Sequence, residues 1–159
     1  MAVDYFLKLE GIPGDSRDAK HRGQIEVQSF SWGEVHQMAP PGSGAGAGRV
    51  AVQDLYFVAK VSKASPKILV ACATGAQIPS AVLTARRSGR GAKDFLVYSL
   101  ADVVVSSYQT GGVEGADGPL DQVSLSFARI AVQYRGQKAD GSLETAVAGG
   151  WDVTQNRPV

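Results

Sequence analysis

The stretch Gln24-Ile25-Glu26-Val27-Gln28-Ser29-Phe30-Ser31-Trp32 changes parity part-way along. Its apolar side chains begin on odd positions, Ile25 and Val27, and continue on even ones, Phe30 and Trp32. Successive strand residues point to opposite faces, so a slip of one residue sends every later side chain to the other side of the sheet. The pattern predicts a strand over residues 24–37 with a bulge or bend near Gln28–Ser29, the device by which a strand turns a barrel corner. Residues 120–134 repeat the switch, with Val123, Leu125 and Phe127 on one parity and Ile130, Val132 and Tyr134 on the other. Two long strands with the same slip predict a closed or nearly closed barrel over a flat sheet.

Outward from that stretch, most of the chain alternates with period two. Val3, Tyr5, Leu7 and Leu9 oppose Asp4 and Lys8, the signature of a half-buried strand. Residues 11–23 are polar, with Pro13 and Gly14 as turn formers, and read as a loop. A third strand covers residues 50–60, apolar on both parities. One helix follows, with Ser65 as N-cap, Pro66 at the first helical position and Gly75 at the left-handed C-terminal position. It is too short to stand alone and must pack on the sheet. Residues 81–87 and 95–108 form a hairpin across Ser88-Gly89-Arg90-Gly91, and residues 111–119 form a glycine-rich acidic loop. A polar linker at 136–150 precedes a short last strand at 151–156. The fold class is mainly β: a compact β-barrel of two sheets with one short α-helix on its side, in a single domain over residues 1–159.

Composition narrows the function. The 159 residues hold 16 Lys and Arg against 15 Asp and Glu, a net charge of +1, which argues against coating nucleic acid or inserting into an anionic membrane. At 44% hydrophobic residues a real core can form. The single cysteine, Cys72, excludes an internal disulfide framework and a cysteine-rich zinc site. Residues 1–9 carry Asp4 and Lys8 with no apolar stretch after a basic start, so no cleaved signal peptide is expected. No run approaches the roughly 18 apolar residues of a membrane helix. The expectation is folding in the cytosol; if the chain leaves the cell, something other than a signal-peptide route must carry it.

No segment presents a catalytic constellation. Gly42-Ser43-Gly44-Ala45-Gly46-Ala47 matches the dinucleotide glycine pattern in name only, because Pro40-Pro41 precedes it and a strand follows where a helix N-terminus is needed. His21, among Asp18, Lys20 and Arg22, reads as a solvated surface histidine, and His36 has no partner at zinc-ligand spacing. Cys72, within an apolar run, reads as a buried structural thiol. No cofactor, no metal and no enzyme activity are expected. Arg86, Arg87, Arg90 and Lys93 cluster on the hairpin, whereas Glu114, Asp117 and Asp121 give the acidic loop the opposite sign. Opposite charges on separate loops suit a head-to-tail contact between copies.

Several segments, in order, resemble the haemolysin-coregulated protein (Hcp) family, the tube protein of type VI secretion. They are Met1-Ala2-Val3-Asp4 with Phe6 and Lys8, Ser31-Trp32-Gly33, and the glycine loop followed by Val52-Gln53-Asp54-Leu55. Ser65-Pro66 with Ala71-Cys72 and Gly75 fits as well, as do Val105-Ser106-Ser107, Gly111-Gly112 and Phe127-Ala128. Tyr134, Gln137-Lys138-Ala139-Asp140-Gly141, Gly150-Trp151-Asp152 and Asn156 complete the series, and Pro40-Pro41 is a departure from it. The resemblance implies a homohexameric ring that stacks into a tube within a contractile sheath, is tipped by a spike protein, carries small effector proteins in its lumen, and leaves a bacterial cytoplasm by injection. It also implies no C-terminal toxin domain in a chain ending at Val159. With Phe30 and Trp32 on the core parity, Ser29 and Ser31 point out of the barrel; by the family's pattern that face lines the lumen, with Ser31 towards cargo. The alternative is a monomeric barrel that binds a small molecule in its interior, against which stand Phe6, Trp32, Phe57 and Phe127, available to fill one.

Overall fold

The computed structural model describes residues 2–38, 41, 48–89 and 91–159. Its elements in chain order are β1 (Val3–Leu9), β2 (Ile25–Ser31), β3 (Glu34–Gln37), β4 (Arg49–Val52), β5 (Leu55–Lys60), α1 (Ala64–Thr74), β6 (Gln77–Arg87), β7 (Lys93–Gly111), β8 (Leu120–Tyr134), β9 (Val147–Asp152) and β10 (Arg157–Pro158). The strand order β10-β9-β8-β5-β2-β1-β6-β7, with β7 pairing back onto β8, closes six strands into a barrel and leaves β9 and β10 as a flap on β8. β3 and β4 form a separate two-stranded ribbon.

The parity switch in β2 is a bulge. Val27 pairs with Ala59 of β5, Ser29 pairs with Val58, and Gln28 is the extra residue between them. The switch in β8 has a different cause. Its register with β7 shows no shift from Tyr134 down to Leu125, but residues 120–125 flank β5 whereas residues 129–134 flank β9. Opposite the change, Asp102 of β7 takes a φ of 53°, which kinks the longer strand. A bulge does occur in this pair, on β7 between Val105 and Ser107.

Phe57, Leu7, Leu55, Leu83, Val103 and Leu125 are fully buried and fill the barrel interior. Each large apolar side chain removed from water contributes about 1.5–3 kcal/mol. α1 adds Ala64, Ile68 and Ala71 to the same core. The helix starts before the expected Ser65: Lys63 is its N-cap and makes no side-chain cap bond. Ser65 is diverted, because its Oγ accepts from the Ser62 N–H at 3.0 Å and donates to the Asp121 carboxylate. Gly75 does end the helix at φ 65°, where a side chain on Cβ would be strained.

Two of the expected strands are interrupted. The segment 24–37 breaks at Trp32-Gly33 and the segment 50–60 at Gln53-Asp54. The breaks pin one another: Trp32 Nε1 donates to the Gln53 carbonyl at 2.8 Å, and the Gln53 N–H donates to the Gly33 carbonyl at 3.0 Å. The strand expected over 151–156 is not found: the two-residue β10 comes after it, and before it β9 runs over Val147–Asp152, starting inside the segment expected as a polar linker. β9 stops because the Asp152 carboxylate accepts from Thr154 Oγ1 (2.7 Å) and the Gln155 N–H (2.9 Å), folding residues 153–156 into a turn. The glycine stretch 42–47, with Pro40 before it, lies outside the described residues.

Candidate interaction surfaces

Ser29 and Ser31 are exposed on the outer face of β2, and Phe30 between them turns inward. Phe30 packs edge-on against Tyr5 (5.3 Å) and Tyr98 (5.5 Å), and Trp32 lies against Phe127 (6.3 Å). These aromatic contacts hold β2 in the rotation that presents both serines outward.

Loop 11–23 is strapped across the outside of the barrel, and two expectations are corrected there. Phe6 does not fill the interior: it points out of the barrel and is buried beneath this loop, with 3% of its surface exposed. His21 is not a solvated surface histidine but is 5% exposed, stacked on Phe6 at 4.4 Å. Its Nε2 lies 3.0 Å from the Asp94 carboxylate and its Nδ1 3.1 Å from Gln24 Oε1. Arg86 lies over the same phenyl ring at 4.8 Å and pairs with Asp18 at 2.6 Å. That hydrogen bond holds the Asp18 carboxyl below its usual value. The aromatic under-layer and the ion pair together make the loop part of the wall.

The charged residues expected to meet between rings fall into two groups. Arg86 and Asp121 are inside the fold, 9% and 3% exposed, and present no loop surface. Asp121 accepts hydrogen bonds from Ser65 and from Tyr108 (3.0 Å), which ties the start of α1 to β7 and β8. Burial, followed by that carboxylate, raises the Tyr108 pKa. Nothing in local sequence marked this cluster, because an aspartate at the edge of an acidic loop reads as solvated. The other described residues reach the surface, Arg87 only in part. Arg87 lies over the Phe95 ring at 4.5 Å, and Lys93 donates to the Gly141 carbonyl at 3.2 Å. Asp117 is held by Lys60 at 2.7 Å, a pair that lowers the carboxyl pKa and raises that of the amine. Glu114 is exposed. Arg90 lies outside the described residues.

β7 sets the separation of the two charged loops. It runs for 19 residues from the basic hairpin to the acidic loop. At about 3.3 Å per residue the span is roughly 60 Å when straight, less when coiled, so the loops occupy opposite ends of the molecule. Among the described residues no three His, Cys, Asp or Glu side chains converge as metal ligands would. No described helix is long and apolar enough to cross a membrane.

Residues 6–134 match the family model described as type VI secretion system effector, Hcp. The chain is 40% identical to protein hcp1 of Pseudomonas aeruginosa, over 98% of both chains. Its fold is similar to the crystal structure of Hcp1 from Salmonella typhimurium, with TM-score 0.82 and 31% identity over the full length of each. A structure described as that of a type six secretion system protein matches with TM-score 0.92 and 26% identity, over 99% of this chain and all of the other.

Proposed function

The chain belongs to the haemolysin-coregulated protein family of type VI secretion tube proteins, and on that premise we propose that it assembles into six-membered rings which stack into a tube, carry small effectors in the lumen and leave the cell by injection. The match along nearly the whole of both chains carries this reading. Two features of the surface support it. A monomer of 16.6 kDa is expected to expose roughly 7,600 Å², and this one exposes 9559 Å². Part of the surplus is the β3–β4 ribbon, which stands off the barrel with Val35 56% and Met38 77% exposed. A lone two-stranded ribbon is marginal in water and gains from a neighbour that covers it. The filled interior leaves the alternative, a monomeric ligand barrel, without a chamber. Partners in this reading are further copies of the chain, the spike protein at the tip, the contractile sheath and effector proteins, with no catalytic step.

Light scattering on the purified protein tests the assembly. A ring of six copies of 16.6 kDa has a mass of about 100 kDa; a single species of subunit mass refutes the ring. The lumen assignment is tested by Ser31→Gln. The longer side chain should cut retained cargo roughly tenfold, equivalent to about 1.4 kcal/mol, while rings still form; unchanged retention refutes the role of Ser31, and of Ser29 beside it.

Stacking follows from the two ends of β7. In this reading Arg87 and Lys93 of one ring face Glu114 and Asp117 of the next, a heterologous contact that repeats along an axis. Arg87→Glu should shorten tubes, seen in micrographs, and spare isolated rings. Tubes of normal length in that variant reject the pairing.

A further inference from the structure

The bulge at Gln28 also opens the wall. The β1–β2 ladder holds Leu7 to Ile25, Phe6 to Glu26 and Tyr5 to Val27, and then stops. Beyond it β2 follows β5, while β1 continues along β6 through Asp4 to Arg86 and Val3 to Arg87. Val3 and Asp4 on one bank and Gln28 on the other therefore flank a groove of about 530 Å³. That volume lies within the usual range for sites holding a short ligand. Among the described residues, the edge of β1 over Val3 and Asp4 has no strand partner on this side.

The charges around the groove are unequally engaged. Asp18 is taken by Arg86, which also approaches Asp4 at 3.6 Å, and Lys60 is taken by Asp117. Glu26 and Arg17, both exposed and both lining the groove, form no ion pair within 4.0 Å among the described residues. One open anion and one open cation beside an unpaired strand edge make a dipolar recognition surface.

We propose that this groove binds an extended peptide segment of the cargo, with a basic side chain on Glu26, an acidic side chain on Arg17, and its backbone along the open edge of β1. The proposal rests on the lumen reading above, because Gln28 adjoins Ser29 and the groove opens beside the outer face that carries Ser31. It adds the chemistry of what is recognised: not bulk or hydrophobicity, but a short segment bearing both signs of charge.

The test is fluorescence anisotropy of dye-labelled, end-capped peptides titrated with the purified protein, their two charges two or four residues apart so that both lie on one face of an extended chain. Lys-Ser-Glu or Lys-Ser-Ser-Ser-Glu, or its reverse, should bind about tenfold more tightly than the same peptide with Gln at both charged positions, the ratio expected for one net charge-assisted contact. Glu26→Gln should remove the gain from the lysine alone, and Arg17→Gln the gain from the glutamate alone, with light scattering unchanged for both variants. Equal binding of charged and neutral peptides overturns the proposal. So does loss of assembly in Glu26→Gln, which makes the groove a seam between copies. If the charge preferences hold while Ser31→Gln keeps its cargo, the groove stands and only the placement of Ser31 fails.

Discussion

Phe57→Ala should lower the unfolding free energy by about 3–5 kcal/mol, the range for truncating a large buried aromatic side chain. Phe57 sits on β5 between Phe30 of β2 and Val123 of β8, with 0% of its surface exposed. Its closest neighbours are held by ladders on both sides, so the wall collapses poorly into the gap and most of the cavity term is retained. A domain of this size has a total stability of about 5–15 kcal/mol, so the loss is about a fifth of it at the least and all of it at the most. Denaturant unfolding followed by tryptophan fluorescence checks it, using Trp32 and Trp151. The transition should move to lower denaturant without becoming broader. A loss below about 1 kcal/mol would mean the barrel interior is not the packed core described.

Phe6→Ala should act differently, because Phe6 holds a loop rather than the barrel. The substitution removes the surface on which His21 stacks and over which Arg86 lies, and it opens a cavity beneath loop 11–23. The combined cost is about 3–5 kcal/mol. Much of it should appear as local opening, since the loop can detach while the six-strand ladder stays closed. Limited trypsin digestion reads this directly, because Arg17, Lys20 and Arg22 all lie in the strap. Cleavage between residues 17 and 22 should accelerate at least tenfold under conditions where Phe57→Ala, at matched global stability, cuts throughout the chain. Equal patterns in the two variants would reject the strap as a separate cooperative unit.

The barrel was legible because its information is periodic. Alternation located β1, the β6–β7 hairpin and β8, and the parity slip located the bulge at Gln28. The helix end was legible because a left-handed position restricts which residues fit, and Gly75 meets that restriction. What escaped was non-local. His21 and Arg86 are polar residues that stack on Phe6, and the loop segment 11–23 gives no local sign that it will fold back across β1. Ser65 and Asp121 are 56 residues apart, and their hydrogen bond displaces the helix start from the position that capping preferences favour. Asp94 becomes a partner of His21 across 73 positions. His21, Ser65 and Asp121 are buried polar groups with distant hydrogen-bond partners, and pattern reading along the chain registers polarity without the partner.

The same difference explains the fate of the charged loops. Their opposite signs were readable, and the length of β7 places them at opposite ends. Which charges remain at the surface depended on tertiary partners: Asp18 removes Arg86, and Ser65 with Tyr108 removes Asp121. Among the described residues, Arg87, Lys93, Glu114 and Asp117 remain for the contact between rings that we propose.

Everything functional in this account depends on the chain repeating around a hollow axis. Negative-stain electron micrographs of the purified protein at high concentration examine that directly. A six-membered ring should give annular particles with six-fold symmetry and a stain-filled centre, some of them stacked end to end. A field of isolated particles of single-subunit size, with no annuli at any concentration, would contradict it.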